Sequence, residues 1–600
     1  MFRSLLTQRL QTAFEKAGIT VPDDFTPAVV LASDTRYGDY QSNAPMVLAK
    51  QMRTNPRALA QQIVDALEVT DLCEKTSIDG PGFLNFTLSP AALANHLLKS
   101  VTDDHLGVPP VPTPRTIVID FSAPNIAKPP HVGHIRSTFI GDSLARIARF
   151  VGHKVITDNH IGDWGTQFGM ILHGWKTLLD TTALDANPIA ELLRLYKTIN
   201  AQTKADPAVL DTCRHELVKL QQGDPENKEI WTRCVALSLD QLRTIYAKLD
   251  THFDHYLGES AYNDKLAPLV DDLLAQGIAE ISDGAVCIFF RDLEALADKP
   301  CIIRKTDGGF LYATTDLATI DHRINVWKAD EIWYVVGAPQ ELHFRQLFEA
   351  TRKRGQNAKL VHIAFGSILG QDGKMFRTRT GESVGLIEVL DEATERAATV
   401  VAEREGFTDE EKAAIAEVIG VGSIKYAELS QNRLTDYKFS WDKMLSLQGN
   451  TAPYLINAYV RTRAIFRKLQ GGATVSVASV PPSGATASVA SSLSPVAPNS
   501  VAPYTPPTEV TFTDPAERAL ALKLAQFAEA THDVLEDHRP NTLANYLYEL
   551  ANAYHSFYEA CPVLRSEGTM RETRLLLCQA TSQVLRSGLN LLGIQTTERM

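Results

Sequence analysis

Between Thr116 and Ile156 the chain alternates in a way that few folds accommodate. Thr116-Ile117-Val118-Ile119-Asp120-Phe121 is a nearly unbroken apolar run, the kind buried on both faces of a parallel sheet. A loop follows. Then Ile135, Phe139, Leu144, Ile147 and Val151 mark the apolar face of a helix, and His153-Lys154-Val155-Ile156 opens a second strand. Strand, helix and strand at these lengths call for a parallel crossover. Glu331–Val336 and Leu360–Phe365 read as further strands, with a helix from Phe344 to Arg354 between them. The stretch near 180–300 reads as a mostly helical insertion. Residues 113–385 are therefore expected to form a Rossmann-type parallel-sheet domain of nucleotide-binding kind.

Six hundred residues exceed what one hydrophobic core supports, so the expectation is a multidomain α/β protein. Residues 1–107 read as an α+β module. Leu5, Leu6, Leu10, Ala13, Phe14 and Ala17 share a helical face that ends at Gly18, Gly38–Asn43 reads as a polar turn, and Pro81–Phe86 as a turn into a strand. The proline-rich run Val108–Pro114 marks a boundary. Beyond it and the sheet, 386–449 reads as a helical stem and 450–600 as an all-α domain. That domain is interrupted at 469–508, an uncharged stretch built largely from Ala, Ser, Val, Pro, Gly and Thr, the composition of a flexible spacer.

Composition excludes several classes. No run of 18 apolar residues is present, so no membrane-spanning helix is expected, and Met1–Gln8 reads as the start of an amphipathic helix, not a signal peptide. Seven scattered cysteines form no CxxC pair, which suggests neither a zinc site nor a disulfide framework and fits a reducing, cytoplasmic setting. The net charge of −12 argues against indiscriminate nucleic-acid binding. It lies wholly in the first three quarters, because Thr451–Met600 carries 12 basic and 12 acidic residues. An RNA partner would need local basic clusters.

The chemistry concentrates after the first sheet strand: Ser122-Ala123-Pro124-Asn125-Ile126-Ala127-Lys128-Pro129-Pro130, then His131-Val132-Gly133-His134 at a helix start. A helix N-terminus offers free N–H groups and partial positive charge to a phosphate. Gly133 lets a nucleotide approach the backbone. Imidazoles at i and i+3 suit an α-phosphate whose charge builds during in-line attack by a carboxylate. A plainer reading is a surface histidine pair beside a helix cap.

Ser122–Thr138 resembles the HIGH-motif region of the arginyl-tRNA synthetases at nearly every position. Gly162-Asp163-Trp164-Gly165-Thr166-Gln167-Phe168-Gly169 resembles the block that follows it, and further matches fall at Gly38–Asn43, Leu311–Asp316, Gln340–His343, 372–379 and from Asn450 to the C-terminus. The resemblance implies a two-step reaction. Arginine's carboxylate attacks the α-phosphate of ATP, with Mg2+ bound to the nucleotide and no protein metal site, and the arginyl group then passes to the terminal ribose of tRNA(Arg). By position, His131, Gly133, His134 and Lys128 would bind ATP, with both histidines and Lys128 catalytic, and Asn125 would hold the substrate carboxylate. Asp120 and Asp316 would grip the guanidinium with help from Tyr312 and Gln340. Taken alone, Asp120 is a strand-end carboxylate and Asp316 a helix-cap residue. The second class I signature loop is altered here to Lys374-Met375-Phe376-Arg377-Thr378; Lys374 and Arg377 retain charge, and Lys128 would supply what the loop lost.

Arg461, Arg463, Arg467 and Lys468 form a basic helical stripe, while Tyr546, Tyr548, Tyr554, Phe557 and Tyr558 are expected mainly in the core. The resemblance makes this the anticodon-binding domain and 1–107 a module touching the tRNA elbow. It also implies a monomer that needs tRNA for activation. A cysteinyl-tRNA synthetase is disfavoured by the missing zinc set, and a silent RNA-binding paralogue by the presence of every named residue.

Overall fold

A computed structural model of the chain describes residues 1–128, 130–370, 372–374, 385–471 and 504–600. Helix α1 (Phe2–Lys16) buries Phe2, Leu6, Leu10, Ala13 and Phe14, while Leu5 is left 41% exposed, one residue off the buried stripe. Strands β1 (Val29–Leu31) and β2 (Tyr40–Ser42), helices α2 (Ala44–Met52) and α3 (Pro56–Ala66), strands β3 (Cys73–Asp79) and β4 (Phe83–Leu88), and helix α4 (Pro90–Ser100) complete the first module. Its antiparallel sheet has the order β1-β2-β4-β3. Half of the expected polar turn at 38–43 is strand: Tyr40 is fully buried and pairs with Phe86, and Asp39 is buried beside it.

The second sheet carries the site. Its strands are β5 (Thr116–Asp120), β6 (Lys154–Asp158), β10 (Glu331–Tyr334) and β11 (Lys359–His362), in the order β11-β10-β5-β6, all parallel. Helix α5 (Gly133–Phe150) joins β5 to β6. From β5 the chain builds first towards β6 and later towards β10, so the strand order reverses at β5/β10, where α/β sheets open a ligand crevice. Thirteen of the 18 residues of α5 are buried, Arg136 and Asp142 included. The helix is enclosed on every side, beyond the single apolar face that its spacing implies. A Cβ at Gly141 would stand 2.2 Å from the Phe121 ring, so glycine lets α5 lie flat on the sheet.

The insertion comprises α6 (Thr166–Leu178), α7 (Thr181–Ala186), α8 (Pro188–Ala205), α9 (Pro207–Gln221), α10 (Pro225–Lys248) and α11 (Asn263–Ala275). It closes with an antiparallel sheet of β7 (Ala279–Ser282), β8 (Ala285–Ile288) and β9 (Cys301–Arg304), so it is less uniformly helical than expected. Asp283 and Gly284, both at positive φ, form the tight β7–β8 turn. Helices α12 (Tyr312–Asn325) and α13 (Glu341–Lys353) flank β10.

Strand β12 (Ile368–Leu369) pairs in parallel with β13 (Tyr437–Lys438). Around this pair come α14 (Leu386–Ala402), α15 (Asp409–Leu429) and α16 (Trp441–Met444), followed by α17 (Ala452–Gly471), α18 (Pro515–Ala525), α19 (Phe527–Asp537), α20 (Asn541–Ala560) and α21 (Gly568–Leu591). Most of the expected spacer, 472–503, lies outside the described residues. Its last part does not behave as spacer: Tyr504 meets the Phe466 ring edge-on at 6.0 Å. Helix α15 ties the halves together. Glu428 pairs with Arg136 of α5 at 2.7 Å, both fully buried, and Lys425 donates to the carbonyls of Leu249 and Gly593. The N-terminal module docks on the C-terminal helices through Arg3–Asp533, Tyr40–Glu529 and Asp39–Arg518. Among the described residues no helix is long and apolar enough to cross a membrane.

Candidate active site

The loop leaving β5 is held in an unfavourable shape. Ser122, Ala123 and Ala127 all have positive φ (70°, 42° and 60°), conformations that L side chains adopt at a cost of about 1–3 kcal/mol each. Neighbours enforce it. Ser122 N–H donates to Ser137 Oγ (2.8 Å), Ala123 N–H to Asn159 Oδ1 (3.1 Å) and Ala127 N–H to Ser238 Oγ (3.2 Å). Pro124 and Ile126 exchange backbone bonds with Gly162 at 3.1 and 3.0 Å. A Cβ at Gly162 would lie 2.0 Å from Asn125 Oδ1, so the second signature block supplies the glycine against which Asn125 is set.

The two histidines cap their own helix. Gly133 N–H donates to His131 Nδ1 (3.0 Å), and His131 N–H to His134 Nδ1 (3.1 Å). Of the helix-terminal donors expected to meet a phosphate, the Gly133 N–H is spent on an imidazole nitrogen, and those of His134 and Ile135 go to the carbonyls of His131 and Val132. Gly133 faces the His131 ring, which a Cβ would meet at 2.7 Å, so the glycine makes room for the histidine. A nitrogen that accepts carries no proton, which places the His131 N–H on Nε2; His134 Nδ1 also lies 3.2 Å from the His131 carbonyl, to which it donates in its other tautomer. Burial holds His134 down to about 4, with the His131 charge adding; burial and then Lys128 lower His131. At neutral pH both rings are therefore uncharged.

Along the C-terminal sheet edge lie the acids. Asp120 is buried and already engaged: Arg323 Nη2 donates to it at 2.7 Å and to Asp158 at 2.8 Å. Burial raises the Asp120 pKa despite Arg323. Asp316 is half-buried and bonded to His343 Nε2 at 2.6 Å; burial opposes charge on that imidazole, but Asp316 outweighs it and raises the pKa. Glu259, between α10 and α11 of the insertion, is pushed up to about 7, mainly by burial, with His160 opposing and Asp163 and Asp316 adding. Tyr312, 68% exposed, stands one helical turn from Asp316 on α12, and its hydroxyl faces Gly165. Gln340 is exposed at the entry to α13. Reading along the sequence singles out neither Glu259, Arg323, Asp158 nor His343 as a site residue. Asp158 and His343 had the only local signal, a strand end beside the signature strand and a matched segment.

The lysines are placed differently from one another. Lys128 Nζ sits 4.5 Å from the centre of the Tyr196 ring, on the insertion helix α8. Lys374 is exposed in a turn whose Gly373 has φ 74°. Arg377 lies outside the described residues. The chain is described again from Gly385, which bridges to His131, and Leu386 N–H donates to Pro130 O at 2.9 Å.

Comparison with known proteins settles the family. The profile for the catalytic domain of class I tRNA synthetases (R) matches residues 96–441, that for the arginyl-tRNA synthetase N-terminal domain residues 4–88, and that for the DALR anticodon-binding domain residues 485–600. The arginine–tRNA ligase of Chromobacterium violaceum is 41% identical over 99% of both chains, and that of Thermobifida fusca 42% identical over 100% of this chain and 99% of its own. The crystal structure of arginyl-tRNA synthetase from Plasmodium falciparum superposes with TM-score 0.82 at 27% identity, covering 100% of this chain and 99% of that one. This chain belongs to the arginyl-tRNA synthetase family. It is a class I aminoacyl-tRNA synthetase, of the enzymes that activate arginine with ATP and then esterify it to tRNA.

In the C-terminal domain of this synthetase the basic stripe is largely spoken for. Arg463 pairs with Glu598 at 2.8 Å, Arg467 donates to the Glu598 carbonyl, and Arg461 bonds His555 at 2.9 Å, leaving Lys468 exposed. Tyr546, Tyr554 and Phe557 are core residues, while Tyr558 is exposed and Tyr548 lies 5.7 Å from Tyr454.

Proposed function

We propose that arginine is activated in the crevice between the α5 N-terminus and α12. One geometry carries this reading: the His131–His134 helix start follows β5, and α12, which bears Asp316, is pinned to the ends of β5 and β6 through Arg323. His131 and His134 stabilise the charge that builds on the α-phosphate as the arginine carboxylate attacks and the bond to pyrophosphate breaks. Lys128, Lys374 and Arg377 neutralise the departing phosphates, and Mg2+ enters with ATP as part of the nucleotide. Asn125, set against Gly162, positions the substrate's carboxylate end. Asp316 and Glu259 take the guanidinium, flanked by Tyr312 and Gln340, because a planar cation leaving water needs anionic partners in its plane. Asp120 serves from behind, through its bond to Arg323. The ribose hydroxyl at the end of tRNA(Arg) then attacks the adenylate carbonyl and AMP departs.

The division of labour follows the domains: 1–107 against the tRNA elbow, 113–385 for chemistry with the 386–449 stem behind it, and 450–600 against the anticodon, in a cytoplasmic monomer. Support comes from the exposed Tyr558 and Lys468 and from the Tyr454–Tyr548 pair, aromatic and basic groups suited to unpaired bases. The deciding experiment is ATP–pyrophosphate exchange with each amino acid, with and without tRNA. Exchange with arginine and tRNA together is expected; exchange with another amino acid, or none under any condition, would sink the reading.

A further inference from the structure

Asp158, Asp120 and Tyr334 are register partners on β6, β5 and β10, so they form a row on one face of the sheet at its C-terminal edge. Arg323 of α12 lies over that row. Its Nη2 reaches both carboxylates (2.7 and 2.8 Å), its guanidinium carbon is 5.4 Å from the Tyr334 ring centre, and its side chain is 0% exposed. Its Nε and Nη1 and the hydroxyls of Tyr262 and Tyr334 are buried without a protein partner, which marks a polar interior and not a greasy helix contact. Two acids on two strands hold one guanidinium nitrogen. Sliding α12 by one residue, about 1.5 Å, would break both bonds.

Counted back from Arg323 on the same helical face, Thr319, Asp316 and Tyr312 fall at i−4, i−7 and i−11. At helical rise Asp316 lies about 10 Å and Tyr312 about 16 Å along the axis. The anchored end of α12 therefore determines where its other end meets a ligand. We propose that Arg323 is a positioning residue for arginine recognition. It pins α12 to the sheet and so sets the location of Asp316 and Tyr312, which meet the substrate guanidinium. The inference rests on reading Asp316 as a guanidinium partner.

Two variants test it, Arg323→Lys and the double variant Arg323→Met with Asp158→Asn. The first keeps a cation that spans less; the second removes one cation and one acid together, so the formal charge of the cluster is unchanged while Asp120 loses its partner. Both are assayed for the KM of arginine, the KM of ATP and thermal stability, beside Asp316→Asn. Expected is a rise in the arginine KM of about tenfold or more in each, the scale of an ångström-sized misplacement, with the ATP KM near wild type. An unchanged arginine KM in either folded variant, or parallel changes in both KM values, would overturn the role. Failure of both to fold would make Arg323 a stability element and overturn it equally. If Asp316→Asn itself leaves the arginine KM unchanged, the underlying reading of the pocket fails instead.

Discussion

Glu259 should make arginine binding depend on pH in the neutral range. Its carboxyl is pushed up to about 7, chiefly by burial and then by Asp163 and Asp316 against the opposing His160. The guanidinium needs the ionised form, so binding strengthens as pH rises through that value and weakens below it. An acid of this pKa is ionised about one part in ten at pH 6 and nine in ten at pH 8, so the arginine KM should be roughly tenfold higher at pH 6. Removing the charge with Glu259→Gln forfeits a charge-assisted hydrogen bond of about 1.5–3 kcal/mol, which is about 10- to 150-fold in KM at pH 8. At pH 6 the gap between variant and wild type should shrink about tenfold, because the wild type is then mostly protonated. The assay is initial-rate pyrophosphate exchange at saturating ATP and tRNA across that range. His343, bound to Asp316 with its pKa raised, acts in the same direction, so any slope left in the variant belongs to it. A wild-type KM that is flat with pH, or a variant equal to wild type at pH 8, would refute the reasoning.

Three other perturbations follow from the geometry. His134→Asn keeps an acceptor near the Nδ1 position for the His131 N–H but lacks Nε2, so melting should shift by only a few degrees while exchange falls about 10²–10³-fold; a retained rate would remove His134 from the chemistry. Gly162→Ala puts a methyl 2.0 Å from Asn125 Oδ1, and because Asn125 is exposed it should be displaced, raising the arginine KM at a stability cost of about 1–3 kcal/mol; unchanged kinetics would clear Asn125 of a role. Arg136→Met strands the buried Glu428 carboxyl and should cost about 3–5 kcal/mol, with Glu428→Leu added alongside recovering most of it; thermal melts of the single and double variants decide, and equal losses would show that packing rather than the ion pair is at stake.

What the amino-acid sequence determined is what neighbours along the chain can carry. Apolar runs and helical spacing announced β5, α5, β6, β10 and β11, and the contiguous block from Ser122 to Thr138 announced the chemistry and the family. Where the outcome depended on partners far along the chain, local reading fell short. Tyr40–Ser42 looks like a turn because it is polar and short; it is a strand because β4, more than 40 residues on, pairs with it. The Asp283-Gly284 hairpin falls inside the stretch expected to be mostly helical. Ownership of charge was the least legible property. Asp120 and Asp316 are both acids in matched positions, yet one is bound by Arg323, about 200 residues away, and the other by the imidazole of His343. Periodicity is a property of consecutive residues, whereas Coulomb energy and desolvation depend on distances through space. Only the assembled sheet edge could decide which partner each carboxylate meets, and that the Gly133 N–H at the helix start would go to the His131 ring.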